Sequence, residues 1–376
     1  MYKFFIHKTI FIANLQPGRF YSILQLYMKQ LLLLLSFLFF YAIGFSQKQN
    51  YKLVVIGFYN LENFYDTTDN PMVNDDEFTP QGPRNYNSAI YWNKVGKLAS
   101  VIAQMGTDEN PKDPDGPAVL GVAEIENDTV LNDLVNHPLL KSRGYKFVHY
   151  DGPDLRGVDV ALIYNPKMFT VEASRSMFVK LPGGSKDSYL TRDVLWVKGK
   201  LDGETVHFYV NHWPSRLGGE ERSAPARAAA AMVSKNHMDS IARVDGEQKV
   251  VIMGDLNDNP TDPSIIKVLK AKEHKEDVQP GGLFNPWISL YKKGIGTLGY
   301  QDAWGLFDQS MISYPWLSQN QTGYFFFRQY IFNRDFLTEN IGRYKGYPMR
   351  TWDGLSYRGG YSDHFPTYLV MLKKIN

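Results

Sequence analysis

From about Tyr51 onward the chain alternates short apolar runs with clusters of Gly, Pro, Asn and Asp. Residues 52–59, 118–124, 158–164, 194–201, 206–213, 250–253 and 368–372 are branched or aromatic runs of strand length, bounded by turn formers. Tyr91, Val95, Leu98, Ile102 and Met105 recur at three- and four-residue spacing, which predicts an amphipathic helix. The alanine-rich stretch 224–242 predicts a second helix, with Pro225 in its first turn, where a missing N–H is tolerated. No internal repeat and no flexible linker divides residues 47–376. Strands dominating, with helices between them, predict one α/β domain there.

The N-terminal segment follows a different pattern. Residues 31–45 are apolar apart from Ser36 and Gly44, and Lys29 precedes them. That run is shorter than the roughly 20 residues needed to span a bilayer. A basic start, a short apolar core and small residues at Gly44 and Ser46 predict a secretory signal peptide over residues 1–46, a buried core helix being the alternative. Met28 is a natural start for such a signal, which makes residues 1–27 an upstream over-extension; a mature N-terminus found upstream of Met28 by mass spectrometry would contradict that. The expectation is an exported protein, periplasmic or secreted, with no stable membrane anchor. The complete absence of cysteine excludes a disulfide scaffold, a thiol nucleophile, zinc–thiolate and iron–sulfur sites and a cysteine-linked lipid anchor. Without residues 1–46, which hold Lys3, Lys8, Arg19 and Lys29 and no acid, 37 basic face 39 acidic side chains, a net of about −2. No overall positive excess remains to release counterions from a nucleic acid.

Polar residues gather at the ends of the predicted strands. Asn60 and Glu62 close the first, Glu124 and Glu126 the second, Asn211 and His212 a third, and Asp255 and Asn257 a fourth, while Asp363 and His364 precede the last. In layered α/β folds strand-end loops form the site crevice. Carboxylates and amides without thiols suit a hard divalent cation, and two histidines add groups that exchange protons near neutral pH. Taken singly, Asn60 reads as a turn former, Glu124 as a solvated strand end, residues 255–260 as an ordinary turn, His212 as a structural histidine and Asp363–His364 as surface loop. One shared site accounts for all five together.

In this order the set resembles the endonuclease/exonuclease/phosphatase superfamily, the deoxyribonuclease-I-like metal-dependent phosphoesterases, from about Leu53 to Leu372. Gly254-Asp255-Leu256-Asn257 matches the family's Gly-Asp-x-Asn motif and Ser362-Asp363-His364 its Ser-Asp-His motif. The resemblance implies a four-layer sandwich of two packed, mostly antiparallel β-sheets flanked by helices. It implies metal ligation by Glu124, Asn60 and Asp363, with Mg²⁺ first and Mn²⁺ or Ca²⁺ as alternatives. It also implies a His364–Asp308 pair that activates water, Asp255 and Asn257 to position the reacting groups, and His212 as a catalytic histidine beside the phosphate. Arg192, in Thr191-Arg192-Asp193, and Asn211 are expected to bind the substrate phosphate. The identity of the base stays open between Asp255 and His364.

Asp159 is expected to support His212 or to be structural, and Glu62 and Glu126 to sit behind the ligands. Arg216, Arg222 and Arg227 read either as a phosphate-side patch or as a solvated face. Gly294–Gly299 has Gly-x-Gly-x-x-Gly spacing but lacks the strand before and the helix after it that a dinucleotide site needs. Asn127-Asp128-Thr129 and Asn320-Gln321-Thr322 match glycosylation sequons. Nucleic acid is the expected substrate, on the strength of His212 and Arg192, and the protein is expected to act as a monomer. The alternatives are phospholipid or sugar-phosphate esters, with the aromatic-rich region 314–332, residues 324–327 included, read as an apolar contact surface or as core, and a catalytically inactive binding module on the same fold.

Overall fold

The computed structural model describes residues 17–44, 50–108, 115–183, 190–318 and 322–375. Two compact units separate, one comprising residues 1–50 with 375–376 and the other Tyr51–Lys374. In the first, Pro17–Gly44 form helix α1. No helix among the described residues is long and apolar enough to cross a membrane.

The second unit holds strands β1 (Asn50–Phe64), β2 (Val119–Ile125), β3 (Lys146–His149), β4 (Asp159–Tyr164), β5 (Phe169–Met177), β6 (Val194–Leu201), β7 (Glu204–His212) and β8 (Lys249–Asp255). Further along are β9 (Leu283–Phe284), β10 (Leu298–Tyr300), β11 (Ala303–Gly305), β12 (Asp308–Ser313), β13 (Phe325–Ile331), β14 (Trp352–Asp353), β15 (Ser356–Tyr357) and β16 (Thr367–Ile375). Its longer helices are α2 (Ser88–Gln104), α3 (Asp128–Asn136) and α4 (Glu220–Asp245). One six-stranded sheet has the order β13-β16-β1-β2-β4-β3 and the other β5-β6-β7-β8-β12-β9. Each contains a parallel pair, β1 with β2 and β7 with β8, beside antiparallel pairs such as β2 with β4 and β6 with β7.

The period of two along β1 explains the layering. Val54, Ile56 and Phe58 face Val197, Phe208, Val210 and Val251 of the other sheet in a shared core. Val55, Tyr59 and Leu61 point the other way, into a core with Leu98 and Ile102 of α2 and Leu131 and Leu134 of α3. A third cluster packs Ala230, Ala231 and Met238 of α4 on Tyr209, Val250 and Ile252. Helices, sheet, sheet and helix therefore stack as the expected four-layer α/β sandwich.

Helix α2 buries Tyr91, Val95, Leu98 and Ile102, the predicted stripe. Helix α4 starts at Glu220, earlier than the alanine-rich stretch suggested, so Pro225 falls inside the helix beyond its first turn. Helix α3 escapes the periodicity search because it is short. Its start is nonetheless written in the chain: the Asn127 side chain accepts from Thr129 N–H and Val130 N–H, an N-cap. Gly294–Gly299 leads into the β10–β11 hairpin, with no helix after it.

Candidate active site

The C-terminal ends of the two parallel pairs carry the site. In β7 and β8, Asn211 lies opposite Gly254 and His212 opposite Asp255. A Cβ on Gly254 would sit 2.1 Å from Asn211 O, so only glycine lets β7 come this close ahead of Asp255. Antiparallel β12 places Asp308 opposite Asp255. In the other sheet Asn60 lies opposite Ala123, next to Glu124. Glu62, Asn63, Glu124 and Asn257 all have φ between 48 and 59°, a left-handed conformation rare for such residues. The turn at Glu62–Asn63 has a visible use: it aims the Asn63 N–H at Glu124 Oε2, 2.8 Å away.

Asp255 is the hub. Its Oδ2 accepts from Asn60 Nδ2 at 3.0 Å and lies 3.6 Å from His212 Nε2 and 3.9 Å from His364 Nε2. Its Oδ1 accepts from Asn257 N–H at 3.0 Å. Glu124 Oε1 stands 3.8 Å from His212 Nε2 and 3.4 Å from Asn60 Nδ2. His364 Nδ1 bonds Asp308 Oδ2 at 2.7 Å, and Thr297 Oγ1 donates to that same oxygen. Asp363 Oδ1 is 4.0 Å from His364 Nε2. Ser362 completes the motif by donating Oγ–H to Asn60 O, which ties the loop before β16 to its sheet neighbour β1.

The electrostatics follow from burial. Burial pushes the Asp255 carboxyl up to about 6, against the pull of His364. His212 is held well below its ordinary value by burial, with Arg192 and Arg156 adding to it. Burial also disfavours the charged form of His364, but Asp308, with Asp255 and Asp363, outweighs it and holds the ring well above its ordinary value. Glu62, buried near Asp363, is raised to about 7 despite Lys94; its carboxylate accepts from Thr351 N–H and Trp352 N–H.

Glu124, Asp255, Asp363, His212, His364, Asp308 and Asn257 are thus brought together, and several other residues make contacts different from those expected. Asn60 Oδ1 accepts from Glu62 N–H and its Nδ2 donates to Asp255 Oδ2 and toward Glu124 Oε1, so the amide bridges the two carboxylates. Arg192, with a side chain 1% exposed, bonds Asp154 Oδ2, His212 O and Trp213 O; it braces the strand end beneath the site and faces no substrate. Asn211 is fully buried, its Nδ2 on Tyr209 O and Met253 O and its Oδ1 on Trp213 Nε1 and Ser234 Oγ. Asp159 reaches His149, not His212, whose Nδ1 has no partner among the described residues. Arg227 is buried on Asp258, and Arg216 bonds Asn257 O and Asp262, so neither is a free phosphate patch. Tyr324, Phe325 and Phe326 are core, while Tyr314 and Phe327 stay exposed, which leaves only part of the apolar surface considered for a lipid. Glu126 accepts from Asp66 N–H. The sequon at Asn127 is the α3 cap; that at Asn320 lies outside the described residues.

A divalent cation fits this donor set. Glu124 and Asp363 offer hard oxygens at the rim, and Asp255, buried among further carboxylates with its proton affinity raised, marks an excess of negative charge that a cation would offset. Two cavities meet beside them. A smaller one of about 210 Å³ is lined by Tyr347, Arg358, Glu339 and Asp353, and an open groove of about 880 Å³ by Asn257, Trp304 and Phe307. Arg350, Asp363 and Tyr300 line both. Arg350, 3.5 Å from Asp363, and Tyr300 were not picked out from the sequence, having only ordinary loop neighbours there.

A family model described as "Endonuclease/Exonuclease/phosphatase family" matches residues 55–373. Solved structures share the fold. An endonuclease/exonuclease/phosphatase family protein from Bacteroides thetaiotaomicron aligns at 16% identity and TM-score 0.51, over 87% of this chain and 97% of that one. The mannosyl-6-phosphatase of Bacteroides thetaiotaomicron VPI-5482 aligns at 16% identity and TM-score 0.50, over 86% and 100%. The D. rerio TDP2 complexed with single strand DNA product aligns at 14% identity and TM-score 0.49, over 85% and 99%. At these identities the likeness is one of fold. No curated protein matches the sequence.

Proposed function

Because the chain belongs to the endonuclease/exonuclease/phosphatase family, a family of phosphoester hydrolases, we propose that it is an exported, divalent-metal-dependent phosphodiesterase. The observation that carries this is the meeting of two cavities at Asp363 and Arg350, next to His364. A phosphomonoester has one organic arm to accommodate; a diester has two. Nucleic acid is the first substrate proposed, one arm lying along the open groove where Trp304, Tyr300 and Phe307 offer faces for stacking. A sugar-phosphate diester is the second reading. The smaller cavity sets Glu339 and Asp353 against Arg343 and Arg358, a near-balanced polar lining that suits a hydroxyl-rich ring.

Glu124 and Asp363 would hold Mg²⁺, which when bound polarises a phosphate oxygen and offsets its charge. The remaining work falls to the chain. Asp255 and His364, facing each other at 3.9 Å, frame the attacking water and as a pair take up its proton. Asp308, itself bonded by Thr297, fixes the ring of His364 so that Nε2 faces the site. His212 stands with Nε2 toward Asp255 and Glu124, placed to donate to the phosphate. Asn257 anchors the strand end by donating to Trp213 O.

Hydrolysis of bis(p-nitrophenyl) phosphate and of p-nitrophenyl phosphate, in Mg²⁺, tests the proposal. The expected result is a kcat/KM at least tenfold higher for the diester. A preference for the monoester would overturn the two-arm argument and leave a phosphatase.

A further inference from the structure

His149, Asp151 and Asp159 are the one group of His and acidic side chains among the described residues whose ligand atoms close to within 4.8 Å of one another, and none of them belongs to the catalytic set. We propose that they form a second divalent-cation site, of imidazole-plus-carboxylate character suited to Zn²⁺ or Mn²⁺, that pins the loop supporting His212.

The imidazole is the informative member. The His149 side chain is only 2% exposed, at the end of β3, and carboxylates face both of its nitrogens. Asp128, in the first turn of α3, lies 2.8 Å from Nδ1. Nε2, on the other side of the ring, faces Asp159 Oδ2 3.4 Å away. A nitrogen and a carboxylate so placed share either a proton or a cation between them. A carboxylate on one imidazole nitrogen with a metal on the other is the arrangement that orients histidine ligands in general. In the absence of metal a proton takes that place, which agrees with a ring raised above its ordinary value by Asp159 and Asp128 against the opposing effect of burial.

The backbone is shaped for the same end. Asp159 is buried at the start of β4, and Asp151 is exposed, leaving a way in from solvent. Between them Gly152 passes so close that a Cβ there would lie 2.4 Å from Asp159 Oδ1, so the loop is laid directly over that carboxylate. Nitrogen with carboxylate oxygens favours Zn²⁺ or Mn²⁺ over Mg²⁺, which seeks oxygen and water. The loop continues to Asp154, whose Oδ2 holds Arg192, and Arg192 bonds the carbonyls of His212 and Trp213. A cation here would fix the wall of the active site without touching substrate.

Calorimetric titration of the metal-free full chain with ZnCl₂ tests this in four forms: unaltered, Glu124→Gln, His149→Gln and Asp151→Asn. The expected result is a binding event, accompanied by proton release from His149, that survives Glu124→Gln and weakens at least tenfold in the other two variants. Asp151 is exposed, so Asp151→Asn gives the answer even where His149→Gln fails to fold. Identical isotherms in the unaltered chain and Asp151→Asn, or an event abolished by Glu124→Gln alone, would overturn the proposal.

Discussion

Arg192→Met separates bracing from substrate binding at the point where the structure departs most from the sequence reading. The substitution keeps the length of an apolar stem and removes a guanidinium that makes three bonds, at 2.9, 3.1 and 2.6 Å, to Asp154, His212 O and Trp213 O. Both members of the ion pair are almost fully buried, at 1% and 2% exposure. Breaking a buried pair from one side leaves the other charge uncompensated and typically costs about 3–5 kcal/mol. For a domain of this size that corresponds to a fall in Tm of roughly 5–8 °C. The double variant Arg192→Met/Asp154→Leu should recover part of the loss, because the stranded carboxylate is gone, although Arg156 N–H loses its partner at Asp154 Oδ1. Thermal and urea unfolding of the three proteins give the numbers. A variant as stable as the unaltered chain, with a raised KM alone, would refute the bracing role and return Arg192 to the substrate.

Three further outcomes are expected. Asp308→Asn should lower kcat by at least about a hundredfold in the phosphodiesterase assay, since it weakens the bond that orients His364 and removes the charge beside it. Phe326→Ala should cost about 3–5 kcal/mol in urea unfolding while leaving kcat per folded molecule unchanged, because the ring fills the core between the sheets. His207, held at about 4 by burial, accepts a bond from Trp196 Nε1 at Nδ1. Its lowered value means that the unfolded chain binds the extra proton between pH 6.5 and 4, so stability from this group is present near neutrality and is lost as pH falls through that window. The stability advantage of the unaltered chain over His207→Phe should therefore narrow from pH 7.5 to 4.5, by about 1–2 kcal/mol after allowance for solvent near the ring; a gap independent of pH would refute it.

Much of the site was legible because its residues stand where strands end. Strand period and turn residues mark those ends locally, while the roles expected of Asp255, Glu124 and His364 rest on the ordered motifs of the family resemblance. Arg192 and Asn211 were misread for the opposite reason. Their roles depend on Asp154, Met253 and Ser234, brought to them by sheet pairing and by α4 packing, and local sequence gives no sign that an Arg or Asn at a strand end turns inward. Of the two roles open to Asp159, support of His212 is not the one found, since β3 and β4 pair to place His149 near it. The segment from Glu276 to Tyr357 resisted reading because its strands are only two to seven residues long. Runs that short carry too few alternations to register, yet they supply Tyr300, Tyr347 and Asp353 to the cavities.

The central claim is that one metal-dependent site, built on Glu124 and the Asp255–His364 pair, cleaves phosphodiesters. Nicking of supercoiled plasmid in Mg²⁺ tests it most directly, with EDTA as control and with Glu124→Gln and His364→Ala beside the unaltered protein. The account predicts nicking that disappears with chelator and falls at least a hundredfold in each variant. Nicking that persists undiminished in both folded variants would contradict it.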